Sequence, residues 1–97
     1  MFWLYVLECR DRTLYVGHTD DLDERMRCHD AGMVDSYTGS RRPLKLVFAE
    51  EFGSRYEALA MERKLKGWSR AKKVAYIAGD WDSVSRLAKG KHERERV

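Results

Sequence analysis

Neither asparagine nor glutamine occurs anywhere in the 97-residue chain. That absence removes side-chain amides as readers of adenine edges in a nucleic acid. Cysteine is scarce, and Cys9 and Cys28 fit no metal-ligand spacing such as C-x-x-C. The single proline, Pro43, marks a loop. No run of 18 apolar residues exists, so no helix is expected to span a membrane. The first residues carry no charged region, long apolar run and small-residue cleavage site in succession, so no signal peptide is expected. The expectation is a cytoplasmic protein with both thiols reduced. Repeats, linkers and low-complexity segments are missing as well, which leaves one domain as the expectation at this length.

What is present is a composition of 43% hydrophobic and 36% charged residues, suited to a soluble globule with one compact core. Net charge is +3 and the isoelectric point is near 9.0, a mild basic excess that by itself describes a solvated surface. Its distribution says more. Between Ser54 and Tyr76 seven cations (Arg55, Arg63, Lys64, Lys66, Arg70, Lys72 and Lys73) face two acids, Glu57 and Glu62. Such a block suits a phosphate-facing surface without specifying one.

FWLYVLE at Phe2–Glu8 is an aromatic and aliphatic run of the kind found in buried strands. TLYVG at 13–17 is a second short strand, and the polar residues between them predict an antiparallel hairpin. A loop of residues 9–11 would put Tyr5 and Tyr15 directly opposite on one face; a slip of one residue would send them to opposite faces. A first helix is predicted from Thr19-Asp20 to Gly32, then a polar loop over 33–43 and a third strand over 44–50. Ser54-Arg55-Tyr56-Glu57 is a capping-box pattern that opens a helix closed by Gly67. Residues 69–77 predict another helix ending at Gly79, and 80–89 a weaker one; from Gly90 the basic tail is expected to fray. The order β-β-α-β-α-α-α implies an α/β fold, a three-stranded, mainly antiparallel sheet flanked by helices.

Two predicted helices carry polar groups where apolar ones belong. On the first, Leu22, Arg25, Met26 and His29 share the inward stripe, and Arg25 and His29 are four apart, close enough to meet. On the second, the stripe is Ala58, Met61, Glu62 and Leu65. A buried unpaired carboxylate costs several kcal/mol or takes up a proton, so Glu62 requires a cation, a metal or the edge of a cleft. Arg25 and Glu62 as a plain ion pair, with His29 as a core histidine, satisfy the pattern too. So does one polar cleft shared by both helices.

Taken in order, these residues resemble the GIY-YIG nuclease family, in particular its small stand-alone bacterial members. Trp3-Leu4-Tyr5 matches the first half-motif, keeping only its tyrosine, and Tyr15-Val16-Gly17 the second. Arg25 follows Gly17 by eight residues and His29 follows Arg25 by four, as on the family's helix. Ser36-Tyr37-Thr38, Arg41 through Val47, and Glu51 through Leu59 followed by Glu62, Lys66 and Lys73 extend the likeness over residues 2–78. An active-site asparagine of several larger members has no counterpart here.

The resemblance implies a GIY-YIG-like domain over residues 1–79, followed at 80–97 by a C-terminal helix and basic tail. It implies a phosphodiester-hydrolysing endonuclease with one Mg²⁺ or Mn²⁺ ion on Glu62. Tyr5 becomes the general base, Tyr15 its partner, Arg25 the residue that steadies the scissile phosphate, and His29 a hydrogen-bonding helper. Gly17, Tyr37, Arg41, Arg42, Lys66 and Lys73 become nucleic-acid contacts. The expected partner is DNA, single-stranded or structured duplex. The residue types suit that chemistry. A hard cation on one carboxylate keeps several waters and can act on phosphate and leaving oxygens, and an arginine fork donates two hydrogen bonds and stays charged. The alternative is a nucleic-acid-binding module with little or no cleavage, for which the basic block suffices.

Overall fold

A computed structural model describes residues 1–87. The FWLYVLE run becomes β1 (Phe2–Glu8), the middle strand of a three-stranded antiparallel sheet ordered β2-β1-β3, with β2 spanning Leu14–Thr19 and β3 Lys45–Phe52. Leu4, Tyr5, Val6 and Leu7 are all buried, so β1 is covered on both faces. That is why its sequence is continuously apolar rather than alternating. One register shift in the β1–β3 pairing falls between Val6 and Leu7, leaving Val47 as the extra residue of a bulge.

The β1–β2 loop is two residues longer than expected, running over residues 9–13. Asp11 explains it. Its Oδ1 accepts from both the backbone nitrogen and the hydroxyl of Thr13, at 3.1 and 2.6 Å, while Arg12 takes a left-handed φ of 71°. Tyr5 therefore pairs with Gly17, and Tyr15 with Leu7. The tyrosines are diagonal neighbours rather than directly opposite. A shift of two preserves parity, so they still share a face.

Helix α1 (Leu22–Asp30) starts later than the expected Thr19-Asp20, because β2 continues through Thr19 and the cap is Asp21, whose carboxylate accepts from the Glu24 nitrogen. Gly32, at φ +73°, follows its end. Within the stretch expected as a polar loop, Asp35 caps a single helical turn, α2 (Ser36–Gly39), by accepting from the Thr38 nitrogen. Helix α3 (Arg55–Lys66) opens on the expected cap, with the Glu57 nitrogen donating to Ser54 Oγ at 3.2 Å. It packs on all three strands. On α1 and α3 the inward stripes are half-buried or buried throughout, and their charged neighbours are exposed.

Two compact units result, Met1–Lys66 and Gly67–Val97. The second holds α4 (Arg70–Ile77), capped by Ser69, and a further helix over residues 81–87. The tail expected to fray from Gly90 lies outside the described residues. Among those described, no helix is long and apolar enough to cross a membrane.

Candidate active site

The hairpin and α1 build the centre of the site. From β1, the Tyr5 hydroxyl meets Nε2 of His29 at 2.9 Å, and both residues are essentially without exposed surface. The guanidinium of Arg25, one turn before His29, lies near enough to the same phenol to favour its ionised form. Tyr15 completes an aromatic cluster: its ring centroid lies 6.4 Å from that of Tyr5 and 5.3 Å from the His29 imidazole, which it meets edge-on. Gly17 gives the Tyr5 ring its place, because a Cβ there would sit 2.5 Å from the Tyr5 oxygen and 2.6 Å from Cζ. At Gly17, which the resemblance assigns to nucleic acid, the close neighbour is a phenol of the same hairpin.

Burial governs the ionisation of this cluster. It pushes the Tyr5 phenol up to about 12, although Arg25 pulls in the other direction. Burial first, then a hydrogen bond to Asp35, raises Tyr15 as well. Burial lowers the His29 imidazole below its ordinary value and keeps it neutral, with Arg25 lowering it further and Asp35 and Asp30 opposing. Both phenols and the imidazole are therefore uncharged at neutral pH.

Glu62 supplies the negative pole. Its side chain is 12% exposed and its partners are His18, with Nδ1 at 2.9 Å from Oε1, and Lys66, with Nζ at 3.3 Å from Oε2. The plain Arg25–Glu62 ion pair that the sequence allowed is not how either group is satisfied. Its charge is felt at both phenols, raising their pKa values. His18, paired with Leu4 one residue out of step with the tyrosines, had only its adjacency to Gly17 as a signal.

Among the described residues, no group of three or more His, Cys, Asp or Glu side chains could cage a metal ion. The donor set fits a cation held mainly by water. Glu62 offers one carboxylate, and Oε2 is engaged only by a lysine whose side chain is 53% exposed and free to swing away.

The rim comes from α2 and the loop after it. Tyr37 stacks on Tyr15 with centroids 6.3 Å apart, and the Arg41 guanidinium lies 3.8 Å over the Tyr37 ring. Arg41 also reaches Asp11 at 3.0 Å. Arg42 donates to the carbonyls of Gly39 and Asp30, at 3.1 and 3.0 Å, where α2 and α1 end. Lys73 lies half-buried on α4, in the second unit.

Two residues at the centre carry no role in the sequence reading. Thr38, fully buried, places its Oγ1 3.1 Å from His29 Nδ1 and 3.2 Å from Asp35 Oδ1. Asp35 also accepts from the Thr38 nitrogen at 2.9 Å, and its charge acts on the Tyr15 phenol. The spacing Asp35-x-x-Thr38 is a helix-cap signature that the polar loop concealed.

A phenol pair, an arginine, a histidine and a lone glutamate on a β-hairpin and two helices define a class. The chain belongs to the GIY-YIG family: the family's model, described as the GIY-YIG catalytic domain, matches residues 1–75. Its relatives include UPF0213 proteins. That of Bacillus pumilus is 43% identical over 75 residues, covering 77% of this chain and 76% of the relative. That of Natronomonas pharaonis is 42% identical over 78 residues, covering 80% and 92%. The solution structure of a UPF0213 protein from Bacillus halodurans is similar, with a TM-score of 0.54 and 35% identity, covering 90% of this chain and 97% of that one. Membership brings a nuclease domain, nucleic acid as its substrate class and, for the family in general, dependence on a divalent metal.

Proposed function

We propose that this protein is a divalent-metal-dependent endonuclease that hydrolyses phosphodiester bonds in DNA, acting on single strands or structured duplexes. The observation that carries the proposal is the Tyr5 hydroxyl held at 2.9 Å from a neutral, buried imidazole, with Arg25 on the same phenol.

Tyr5 has no exposed surface in the free protein. Arg25, whose charge acts on it, is half-buried beside it. A phosphate draws the arginine fork to itself, since paired N–H donors match paired phosphate oxygens. That movement draws the guanidinium away from the phenol and steadies the scissile group in one step. With a pKa of about 12, Tyr5 is a poor base alone. It acts by handing on a proton. As the attacking water gives its proton to the Tyr5 oxygen, the Tyr5 proton passes to Nε2 of His29, 2.9 Å away. The water oxygen forms a bond to phosphorus, and the bond to the leaving oxygen breaks. Arg25 holds the charge developing on the phosphate oxygens. Glu62 is the residue that would hold the metal, and Mg²⁺ or Mn²⁺ suits a single carboxylate. Such an ion, when bound, supplies Lewis-acid polarisation of the phosphate and acidic waters near the leaving oxygen.

Tyr15 and Tyr37 continue the aromatic surface outward, with Arg41 over the outer ring. These residues suit unpaired bases, which stack on exposed rings. Lys66 would trade Glu62 for a phosphate once the carboxylate takes its cation. Lys73 is assigned a phosphate contact on the family likeness, and Arg42 acts through the loop it ties down.

The test is cleavage of labelled single- and double-stranded DNA with Mg²⁺, Mn²⁺ or EDTA, using the parent chain and Glu62→Ala. Product should form only with metal, and the variant should lose it by 10²-fold or more, on the order expected when a metal-centred step is removed, while its melting curve stays close to the parent's. A variant that cuts as well as the parent overturns the metal-ligand assignment. Salt-sensitive binding without product under any metal would make the protein a binding module instead.

A further inference from the structure

The hydrogen bonds beyond His29 run in one direction, and that direction decides what the imidazole can do. Asp35 is held ionised by the Thr38 nitrogen, the Thr38 hydroxyl and the Tyr15 hydroxyl. A carboxylate only accepts. The Thr38 hydroxyl therefore spends its one proton on Asp35 Oδ1 at 3.2 Å, and toward His29 it can only accept. His29 Nδ1, 3.1 Å from that oxygen, must carry the ring's hydrogen. In a neutral imidazole Nε2 is then a bare lone pair, and it faces the Tyr5 hydroxyl at 2.9 Å. With the opposite tautomer, Thr38 would donate to Nδ1, and its oxygen would face the Asp35 carboxylate with no proton between them.

We propose that Thr38 and Asp35 are positioning residues that lock His29 in its Nδ1–H tautomer, so that Nε2 stands ready to take the Tyr5 proton. The inference rests on Tyr5 and His29 forming the proton path described above. The reaction gains nothing from Thr38 or Asp35 directly, since neither touches the phosphodiester. They act through the ring, much as a fixed acceptor behind any catalytic histidine selects which nitrogen is free. The Asp35 carboxylate also acts on the Tyr15 phenol, raising its pKa. The device is a single helical turn of four residues with Asp35 as its N-cap, fastened to α1 through Arg42.

The experiment is nitrogen-15 NMR of the imidazole rings, which separates a protonated ring nitrogen from a bare one, alongside single-turnover cleavage. It takes the parent chain, Thr38→Val and Thr38→Ser. In the parent, His29 should show Nδ1 protonated and Nε2 bare. Val keeps the branched shape but offers no acceptor, so the populations should move toward Nε2–H, with the cleavage rate constant lower on the order of 10²-fold and KM little changed. Ser restores the acceptor and should recover both the tautomer and most of the rate. A parent ring protonated on Nε2 overturns the proposal by itself, even if Thr38→Val fails to fold. So does a folded Thr38→Val that retains the Nδ1–H tautomer or the full rate. A parent that shows the Nδ1–H ring but cuts no DNA defeats the nuclease reading and leaves the tautomer assignment standing, so the two failures are distinct.

Discussion

At the scale of single residues, the chemistry depends on how burial sets protonation. Tyr5 and Tyr15 are raised and His29 is lowered, in each case chiefly by loss of water. The groups facing the imidazole are the two phenols from the hairpin, Arg25 on its own helix, Asp30 just beyond, and Asp35 with Thr38 from the following turn. Arg25 favours the neutral ring and the two carboxylates oppose it, yet burial outweighs them. Cleavage that needs Nε2 bare should therefore hold its rate above the ordinary imidazole value of about 6.5 and fall once pH drops below the lowered value of the folded protein. It should not climb tenfold per pH unit through 8 to 10, as it would with free phenolate as the base. A rate profile at saturating metal checks this, and a log-linear alkaline rise would remove His29 from the path. Folding stability follows the same sign. A folded-state value below the unfolded one means that the contribution is complete above about 6.5 and is lost as pH falls through the folded value.

At the scale of elements, the register of one hairpin decides the site. The longer loop at Asp11 puts Gly17 rather than Tyr15 across from Tyr5, and the phenol occupies the space a side chain would fill. Gly17→Ala should be costly for that reason. Its methyl would meet a ring that is buried and fixed by His29 and Arg25, so the ring cannot swing aside freely. Overpacking of this kind typically costs about 1–3 kcal/mol. The variant should melt several degrees lower and cut more slowly, because Tyr5 leaves its position over His29. Thermal melts with single-turnover rates check both, and an unchanged rate would show that the Tyr5–His29 contact is dispensable.

At the scale of the whole molecule, the basic excess is modest and partly committed. Within the block over 54–76, Lys66 pairs with Glu62, Arg55 approaches Asp20, and Lys72 covers the Trp68 ring. The other cations of that block suffice for a few phosphates, so binding through it should be salt-sensitive. For about three neutralised phosphates, affinity for single-stranded or duplex DNA should drop roughly 10- to 10²-fold between 50 and 200 mM salt. Fluorescence anisotropy across that range measures the slope, and a flat response would rule out phosphate-led binding.

The sequence by itself determined the order of the strands and the longer helices and the buried middle strand, and it picked out five side chains of the candidate site. Those features are local. Apolar runs, helix caps and the eight- and four-residue steps from Gly17 to Arg25 to His29 are visible within a few turns of chain. Glu62 was legible because a carboxylate in an apolar stripe demands an explanation. Tertiary structure alone decided the partners. His18 and Glu62 are 44 residues apart in sequence, and nothing local says that their side chains meet at 2.9 Å. The two-residue shift of the hairpin followed from Asp11 capturing Thr13, a choice between loops that the alternating pattern leaves equal because parity is the same. The Asp35–Thr38 turn looked like polar loop because its meaning lies in what it touches: Thr38 becomes the acceptor behind His29 only when α2 folds against α1.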